Sequence, residues 1–559
     1  MPAGRRRALD LRLNRAAAAD AGERALDRRS VAPAAACLLA AGLLAFALQL
    51  RSVWPFTADD AFITFRHAQN WAAGFGPNFN ATGARSEGVT SFGFLALCTL
   101  PALLGLDLVV FAKLAGVLGA LATAALLARL ALDLERALPA AAAAAPAGGS
   151  SPAGRALLAA AGACFLWLGF HATAVHAASG METLVACALL TALARAVLRA
   201  RSAPEPAGPG FGLLALALGL VRPELNAAAA AALALALAGT PAATRPALLR
   251  SALLFWLLPG ALYFAARATY YGELLPIPFY AKIAGGAALP GAANALDLGK
   301  TLLGGVGLFA LLPLLAAPRA FRWLLALALA VVGIALLPDP VMDFDFRYAL
   351  PALPLCFALS GLGLAQLAEI AARALAPLRG GSRRLIVTAL SLTAAASLAA
   401  RAIEPARASL QERRAYGLAL LNTNVRLGRI LADYRRQAAR VPLVALGDVG
   451  AIPYYSGWRV IDTYSLNDPE IAIRGRGDPA YVLDQSPDLV IAVSTRGREF
   501  AAHWANPHDP ALFEASRARG MRPAVILRFS AASYLFVMAQ PDSEIERSLR
   551  RVYLDRPDG

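Results

Sequence analysis

Lysine is almost missing from this chain. Only Lys113, Lys282 and Lys300 occur in 559 residues, so the 53 basic residues are nearly all arginine. Charge is scarce as well: Asp, Glu, Lys and Arg make up 16% of the chain, against roughly a quarter in soluble domains. That scarcity argues against an ordinary soluble enzyme. A hydrophobic fraction of 58% excludes a disordered chain. The five cysteines all fall in apolar stretches. They show neither metal-ligand spacing nor an extracellular pairing pattern, which excludes a disulfide-framed module and leaves them as small buried hydrophobes. No His-Glu-x-x-His occurs, so no zinc-protease site is present. His171 and His176 are five apart and do not share a helix face. The net charge of +16 would suggest nucleic acid in a cytosolic protein. Here the arginines sit in short runs between apolar stretches, the pattern of a polytopic membrane protein, and no nucleic-acid partner is expected.

What is present is a series of long apolar runs. A membrane span takes about 20 such residues. Residues 1–30 hold eight arginines and read as a basic cytoplasmic tail. That stretch is long for the charged lead of a signal peptide, so 33–50 reads as an uncleaved first span. Further spans are expected near 108–130, 156–175, 182–200, 252–269, 300–317, 322–338, 349–372 and 385–400. Residues 210–239 form one apolar block broken by Val-Arg-Pro-Glu at 221–224, which predicts two short helices meeting near one face. Residues 91–105 predict a helix lying along the membrane. Counting 210–239 as two passes puts every arginine cluster on the cytoplasmic side and gives about eleven passes, with the N-terminus in and the C-terminus out.

The fold class expected is therefore an all-α polytopic membrane bundle over 31–400 with a C-terminal extracytoplasmic α/β domain over 401–559. Within that last region Val441–Leu446, Asp488–Val493, Ala524–Phe529 and Tyr534–Met538 predict strands. Residues 408–439 have helical spacing.

Residues 51–107 form the first outer loop, and its start, Ala58-Asp59-Asp60-Ala61-Phe62-Ile63-Thr64-Phe65-Arg66-His67, is the most informative segment. Adjacent carboxylates raise one another's pKa, so Asp59 and Asp60 suit a general base or a divalent-cation ligand. A plain helix N-cap is the other reading. No cofactor is otherwise implied.

Asp59 to Arg66 is followed by Gly-Phe-Gly-Pro-Asn-Phe-Asn at 74–80 and Arg-Ser-Glu-Gly-Val-Thr-Ser-Phe at 85–92. Then come Ser-Gly-Met-Glu-Thr at 179–183, Arg-Pro-Glu at 222–224, Tyr-Tyr-Gly-Glu-Leu-Leu-Pro at 270–276 and Phe-Tyr-Ala-Lys at 279–282. Arg-Tyr-Ala-Leu-Pro at 347–351 and Gly-Asp-Val-Gly-Ala-Ile-Pro-Tyr-Tyr-Ser-Gly at 447–457 complete the series. In this order the motifs resemble the GT-C superfamily of integral membrane glycosyltransferases, and within it the bacterial branch that includes mycobacterial terminal arabinofuranosyltransferases. Pro276-Ile277-Pro278 departs from the Pro-Asn pattern of that branch.

The resemblance implies inverting transfer of a sugar from a polyprenyl-phosphate donor to a cell-envelope glycan, glycolipid or protein at the outer face of the cytoplasmic membrane. It implies Asp59, ahead of Asp60, as the base. A leaving phosphate needs cationic donors. Lys282, Arg347, Arg66 and Arg267 near the outer face are the candidates, although arginines there also snorkel to headgroups. Glu182, Arg222 and Glu224 read more simply as an ion-pair brace of the broken hairpin. Glu87 orients an acceptor or caps a helix, and His67 falls with it as acceptor or structural support.

A transporter or flippase of lipid-linked glycans is the competing class. Such a protein places charges near the bilayer midplane and often repeats its halves, whereas this acidic pair lies in an outer loop. The near-match to a phosphate-binding loop at Asn294–Thr301 lacks its first glycine and a preceding strand, and is rejected. Asp448 follows a strand, where α/β folds place ligands, or is a turn residue. Asp462 and the Asn467-Asp468-Pro469 turn share that ambiguity.

Overall fold

The computed structural model describes residues 28–137, 152–202, 208–283, 292–304, 307–337, 342–374, 406–503 and 506–554. The basic tail through residue 27 and the expected span at 385–400 lie outside these residues, so the expected count of eleven passes extends beyond what is described.

The chain begins with α1 (Arg28–Val53), α2 (Asp59–Ala72), α3 (Phe92–Leu103) and α4 (Leu108–Arg136). Next come α5 (Pro152–Gly169), α6 (His171–Ala178), α7 (Thr183–Ser202), α8 (Gly210–Val221) and α9 (Leu225–Gly239). Helices α10 (Arg245–Ala252) and α11 (Leu258–Tyr271) are fused through a π-helical turn, Leu253–Leu257. The series continues with α12 (Ile277–Ile283), α13 (Ala292–Gly304), α14 (Gly307–Ala316), α15 (Pro318–Ala335) and α16 (Leu353–Ala374).

Among the described residues, six helices are long and apolar enough to cross a membrane: Val31–Val53, Leu108–Arg136, Pro152–Gly169, Thr183–Ser202, Ala242–Tyr271 and Leu350–Ala371. Their outward faces expose Leu44, Leu118 and Leu262, apolar surface suited to contact with lipid chains. The break at 221–224 separates α8 from α9 as the proline and its charged neighbours require. Residues 156–175, expected as one span, are divided. Helix α5 ends at Gly169, Phe170 turns extended, and α6 starts afresh at His171. Helix α3 is only twelve residues long, too short to cross.

A helix running from residue 406 passes through a second π-helical turn, Leu421–Val425, into α17 (Arg426–Gln437). It leads to a five-stranded sheet of order β2-β1-β3-β5-β4. The strands are β1 (Leu443–Leu446), β2 (Arg459–Asp462), β3 (Leu489–Ser494), β4 (Arg522–Ser530) and β5 (Ser533–Ala539). The first three are parallel, and β5 pairs antiparallel with β3 and β4. Strands β1 and β3 are buried along their whole length, because helices cover both faces of the sheet. One face packs Val444, Leu446 and Ile491 against Leu427, Leu431 and Leu549. The other packs Ala445, Val490 and Phe536 against Leu512 and Phe513. Strand β2 has no counterpart among the expected strands. It is four residues long and starts with an exposed arginine, too little for a periodicity signal.

Two apolar clusters bind the loop region of residues 51–107 to the C-terminal domain. Ile63 and Phe79 enter the core beneath the sheet. Phe62 and Phe65 of α2 pack with Phe94, Val175, Leu420 and Ala451. Helix α2 thus lies between the membrane bundle and the sheet, and its first turn faces the junction.

Candidate active site

Several bonds fix the start of α2. Lys113, buried in α4, donates from Nζ to the Trp54 carbonyl at 2.5 Å and the Phe56 carbonyl at 2.6 Å, which anchors the segment leaving α1. The Ala58 amide donates to the Ser179 carbonyl at 2.9 Å. Asp59 and Asp60 then open α2, where the helix dipole favours negative charge.

Asp59 is engaged by the C-terminal domain. Its Oδ2 accepts the Gly450 amide at 3.0 Å and its Oδ1 accepts the Ala451 amide at 2.9 Å. Both amides open α18 (Ala451–Ser456), the helix that follows β1. A Cβ on Gly450 would collide with the Asp59 carboxylate, so this approach admits only glycine. Burial raises the Asp59 carboxyl well above the usual range. The Asp448 and Asp60 charges push it the same way, and the two amides only partly offset them. Burial also lifts Asp448, with help from Asp509 and Asp60. Tyr416, from the helix preceding α17, lies in the electrostatic field of Asp59, Asp448 and Asp60.

The second cluster centres on Arg347. Its Nη2 donates to Glu182 Oε1 at 2.9 Å. Arg222 donates from Nη1 to the Arg347 carbonyl at 3.0 Å and pairs with Glu224 at 2.6 Å. It also stands 3.9 Å from Glu182. The Tyr348 ring lies under both guanidiniums. Burial works to raise the Glu182 carboxyl, and the Arg347 and Arg222 charges outweigh it, so Glu182 stays ionised. Arg347 is 8% exposed, and its Nε is buried with no partner among the described residues. The Arg347 charge lies in the field of Asp60, so the two clusters are electrostatically coupled.

Asp345 anchors the loop that leads into this arginine. Its carboxylate meets His171 Nε2 at 3.3 Å, Arg413 Nε at 2.9 Å and the Ser409 hydroxyl, while its carbonyl meets His176 Nε2 at 3.1 Å. The two histidines, set apart by sequence spacing, therefore converge through a loop that crosses both turns of α6. Met342, Asp345 and Phe346 all have positive φ, a strain of about 1–3 kcal/mol each. These side-chain bonds help hold it.

The other expected residues fall elsewhere. Arg66 donates to the carbonyls of Phe79, Pro453 and Trp458 at 2.5–2.6 Å and to Asn80 Oδ1 at 3.1 Å. Arg267 is paired with Glu87 at 2.5 Å and bonded to the Leu274 carbonyl at 2.6 Å. Both guanidiniums join protein segments. His67 is fully buried, with Nδ1 at 2.9 Å from the Ile63 carbonyl. Burial pushes its pKa down to about 4, so it stays neutral. The side chain of Lys282 lies outside the described residues. No cluster of three or more His, Cys, Asp or Glu suited to a metal occurs among the described residues.

Replacing Arg66 with Ala removes the guanidinium bonds to three buried carbonyls, of which those of Phe79 and Pro453 keep a second donor in Asn70 Nδ2 and the Gly457 amide. A lost hydrogen bond from a charged donor costs about 1.5–3 kcal/mol. The expected result is a marked fall in the melting temperature of the purified protein, with Arg66→Lys recovering little because an ammonium lacks the planar fork. An unchanged melting temperature would contradict this structural role.

Comparisons with known proteins agree with the architecture. Residues 413–529 match a family described as a domain of unknown function, DUF8728. No curated protein matches the sequence. ArnT from Cupriavidus metallidurans, in the apo state, superposes with a TM-score of 0.50 at 14% identity, covering 90% of this chain and 97% of that one. The same protein bound to undecaprenyl phosphate gives the same values. An oligosaccharyltransferase from Archaeoglobus fulgidus aligns over 82% of this chain and 69% of its own, at 14% identity and a TM-score of 0.47. The chain shares the fold of ArnT over nine-tenths of its length.

Proposed function

We propose that this chain is an inverting glycosyltransferase that takes a sugar from a polyprenyl-phosphate donor and passes it to a hydroxyl of an envelope glycan, glycolipid or protein. The reaction takes place at the outer face of the cytoplasmic membrane. The observation that carries this reading is a raised, oriented carboxylate, Asp59, together with a buried arginine, Arg347, whose Nε has no partner among the described residues.

The acceptor oxygen attacks the anomeric carbon from the side opposite the phosphate. Its proton passes to Asp59. The bond from the anomeric carbon to the phosphate oxygen breaks, and polyprenyl phosphate leaves with the electron pair. A general base serves best when its pKa lies near working pH, which burial and neighbouring acids favour at Asp59. Asp60 stabilises positive charge developing on the sugar ring, and Arg347 offers its Nε–H to the departing phosphate. Glu182 holds that guanidinium in place, and Arg222, paired with Glu224, holds the Arg347 carbonyl. An undecaprenyl-phosphate complex is known for a protein of the same fold, consistent with a lipid-phosphate donor. The acidic pair also suits a divalent cation, and added chelator distinguishes that role from base catalysis.

The test is a panel of undecaprenyl-phosphate sugars, including arabinofuranose, mannose, galactose, rhamnose and an amino sugar, given to the protein in nanodiscs with an envelope extract as acceptor. Release of undecaprenyl phosphate with sugar incorporation from one donor is expected. Movement of an intact lipid-linked sugar between leaflets, without cleavage, would overturn the reading in favour of a flippase.

A further inference from the structure

In the C-terminal sheet, the chain leaves β1 toward β2 on one side and returns to β3 on the other. The carboxyl ends of β1 and β3 therefore flank a topological switch point, the place where open α/β sheets bind ligands. Gly447 and Asp448 follow β1 directly, and Asp509 accepts the Val493 amide of β3 at 2.6 Å. This edge does not face open solvent. Through Gly450 and Ala451 it grips Asp59, and Leu466 and Asn467 press on Gly88 of the outer loop. Asp448 is partly accessible, as are Asp59, Asp60 and Tyr464.

Two further atoms mark the place. Thr463 Oγ1 and Asn506 Nδ2 belong to side chains 6% and 4% exposed, and neither atom has a hydrogen-bond partner among the described residues. Both stand next to the Gly447 Cα, where a Cβ would lie 3.5 Å from the hydroxyl and 3.1 Å from the amide nitrogen. Buried polar groups are rarely left unpaired. A carboxylate, a hydroxyl and an amide donor together match the alternating donors and acceptors of a sugar's hydroxyl groups.

We propose that the C-terminal domain supplies the acceptor half of the active site: Asp448, with Thr463 and Asn506 beside it, binds hydroxyls of the incoming glycan, and the Gly450–Ala451 amides hold Asp59 toward the attacking one. This rests on the transferase reading above. Asp448 accepts a hydrogen bond from a hydroxyl next to the nucleophile. Its charge also keeps Asp59 basic, together with Asp60 on α2. Tyr416 and Asp509 face the same group of acids, and Arg347 faces Asp60.

The test is Asp448→Asn in the full-length protein, using the donor and extract active in the panel. Acceptor KM is expected to rise at least tenfold. The acid limb of kcat/KM is expected to move to lower pH, because removing a neighbouring negative charge lowers the Asp59 pKa. Melting temperature and undecaprenyl-phosphate binding are expected to stay at wild-type values. Thr463→Val serves as a second variant, with a smaller rise in KM and no movement of the acid limb. Unchanged acceptor KM and pH profile in Asp448→Asn, with Asp59→Asn inactive, would overturn the acceptor role and leave the transferase reading standing. A wild-type protein that transfers no sugar, or an Asp59→Asn/Asp60→Asn double variant that keeps full activity, would overturn the transferase reading and this inference with it.

Discussion

Asp59→Asn is expected to reduce sugar transfer by about 10²–10⁴-fold, the usual loss when a positioned general base is removed. Asparagine has nearly the same shape, but its amide cannot take the acceptor proton. It can present only one oxygen to two amides, so one of the bonds from Gly450 and Ala451 is also lost. That bond has a charged acceptor and contributes about 1.5–3 kcal/mol, less than the roughly 5–15 kcal/mol that holds a domain folded. Undecaprenyl-phosphate binding is therefore expected to survive. In the wild type, the reaction needs Asp59 ionised, so activity falls as pH drops through its pKa. Burial, Asp448 and Asp60 raise that pKa, which puts the acid limb of kcat/KM well above the ordinary aspartate range near 4. A limb at about pH 4, or an Asp59→Asn variant with wild-type kcat, would remove Asp59 as the base.

The second large effect is expected at Arg347. In Arg347→Lys the charge remains and can still face Glu182, which avoids an unpaired buried carboxylate. What disappears is the planar fork that holds Glu182 with one edge while aiming Nε–H elsewhere. The variant is expected to fold, to lose roughly tenfold or more in undecaprenyl-phosphate affinity and to turn over correspondingly slowly. This reads about 1.4 kcal/mol per factor of ten, the size of a hydrogen bond to a charged group. Glu182→Gln is expected to weaken binding less, because Arg222 still orients the Arg347 backbone. Full donor affinity in Arg347→Lys, measured by titration with undecaprenyl phosphate, would show that this guanidinium only braces the bundle.

Much of the architecture was legible in local pattern. Apolar runs marked the long helices, Arg222–Glu224 marked the break between α8 and α9, and short apolar, β-branched runs marked four of the five strands. The outer-loop acids were visible because two adjacent carboxylates in an otherwise charge-poor chain are conspicuous. The arginines were harder. Arg66, Arg267 and Arg347 look alike in sequence, since each sits near the end of an apolar run. The structure gives the first to backbone carbonyls and the second to Glu87, and leaves one N–H of the third without a partner among the described residues. The partners lie up to 392 positions away in sequence, beyond the reach of any local rule.

The sequence by itself determined which stretches form long apolar helices: apolar length depends only on composition and order, because hydrophobic transfer is a local property of surface. Only the tertiary structure decided that Asp448 faces Asp59, that Asp345 gathers His171, His176 and Arg413, and that β2 exists. Those outcomes depend on which distant groups meet once the sheet packs over α2. The pKa shifts and unpaired atoms of the site arise from that meeting alone, since charges and hydrogen bonds act over a few ångströms of space whatever the separation along the chain.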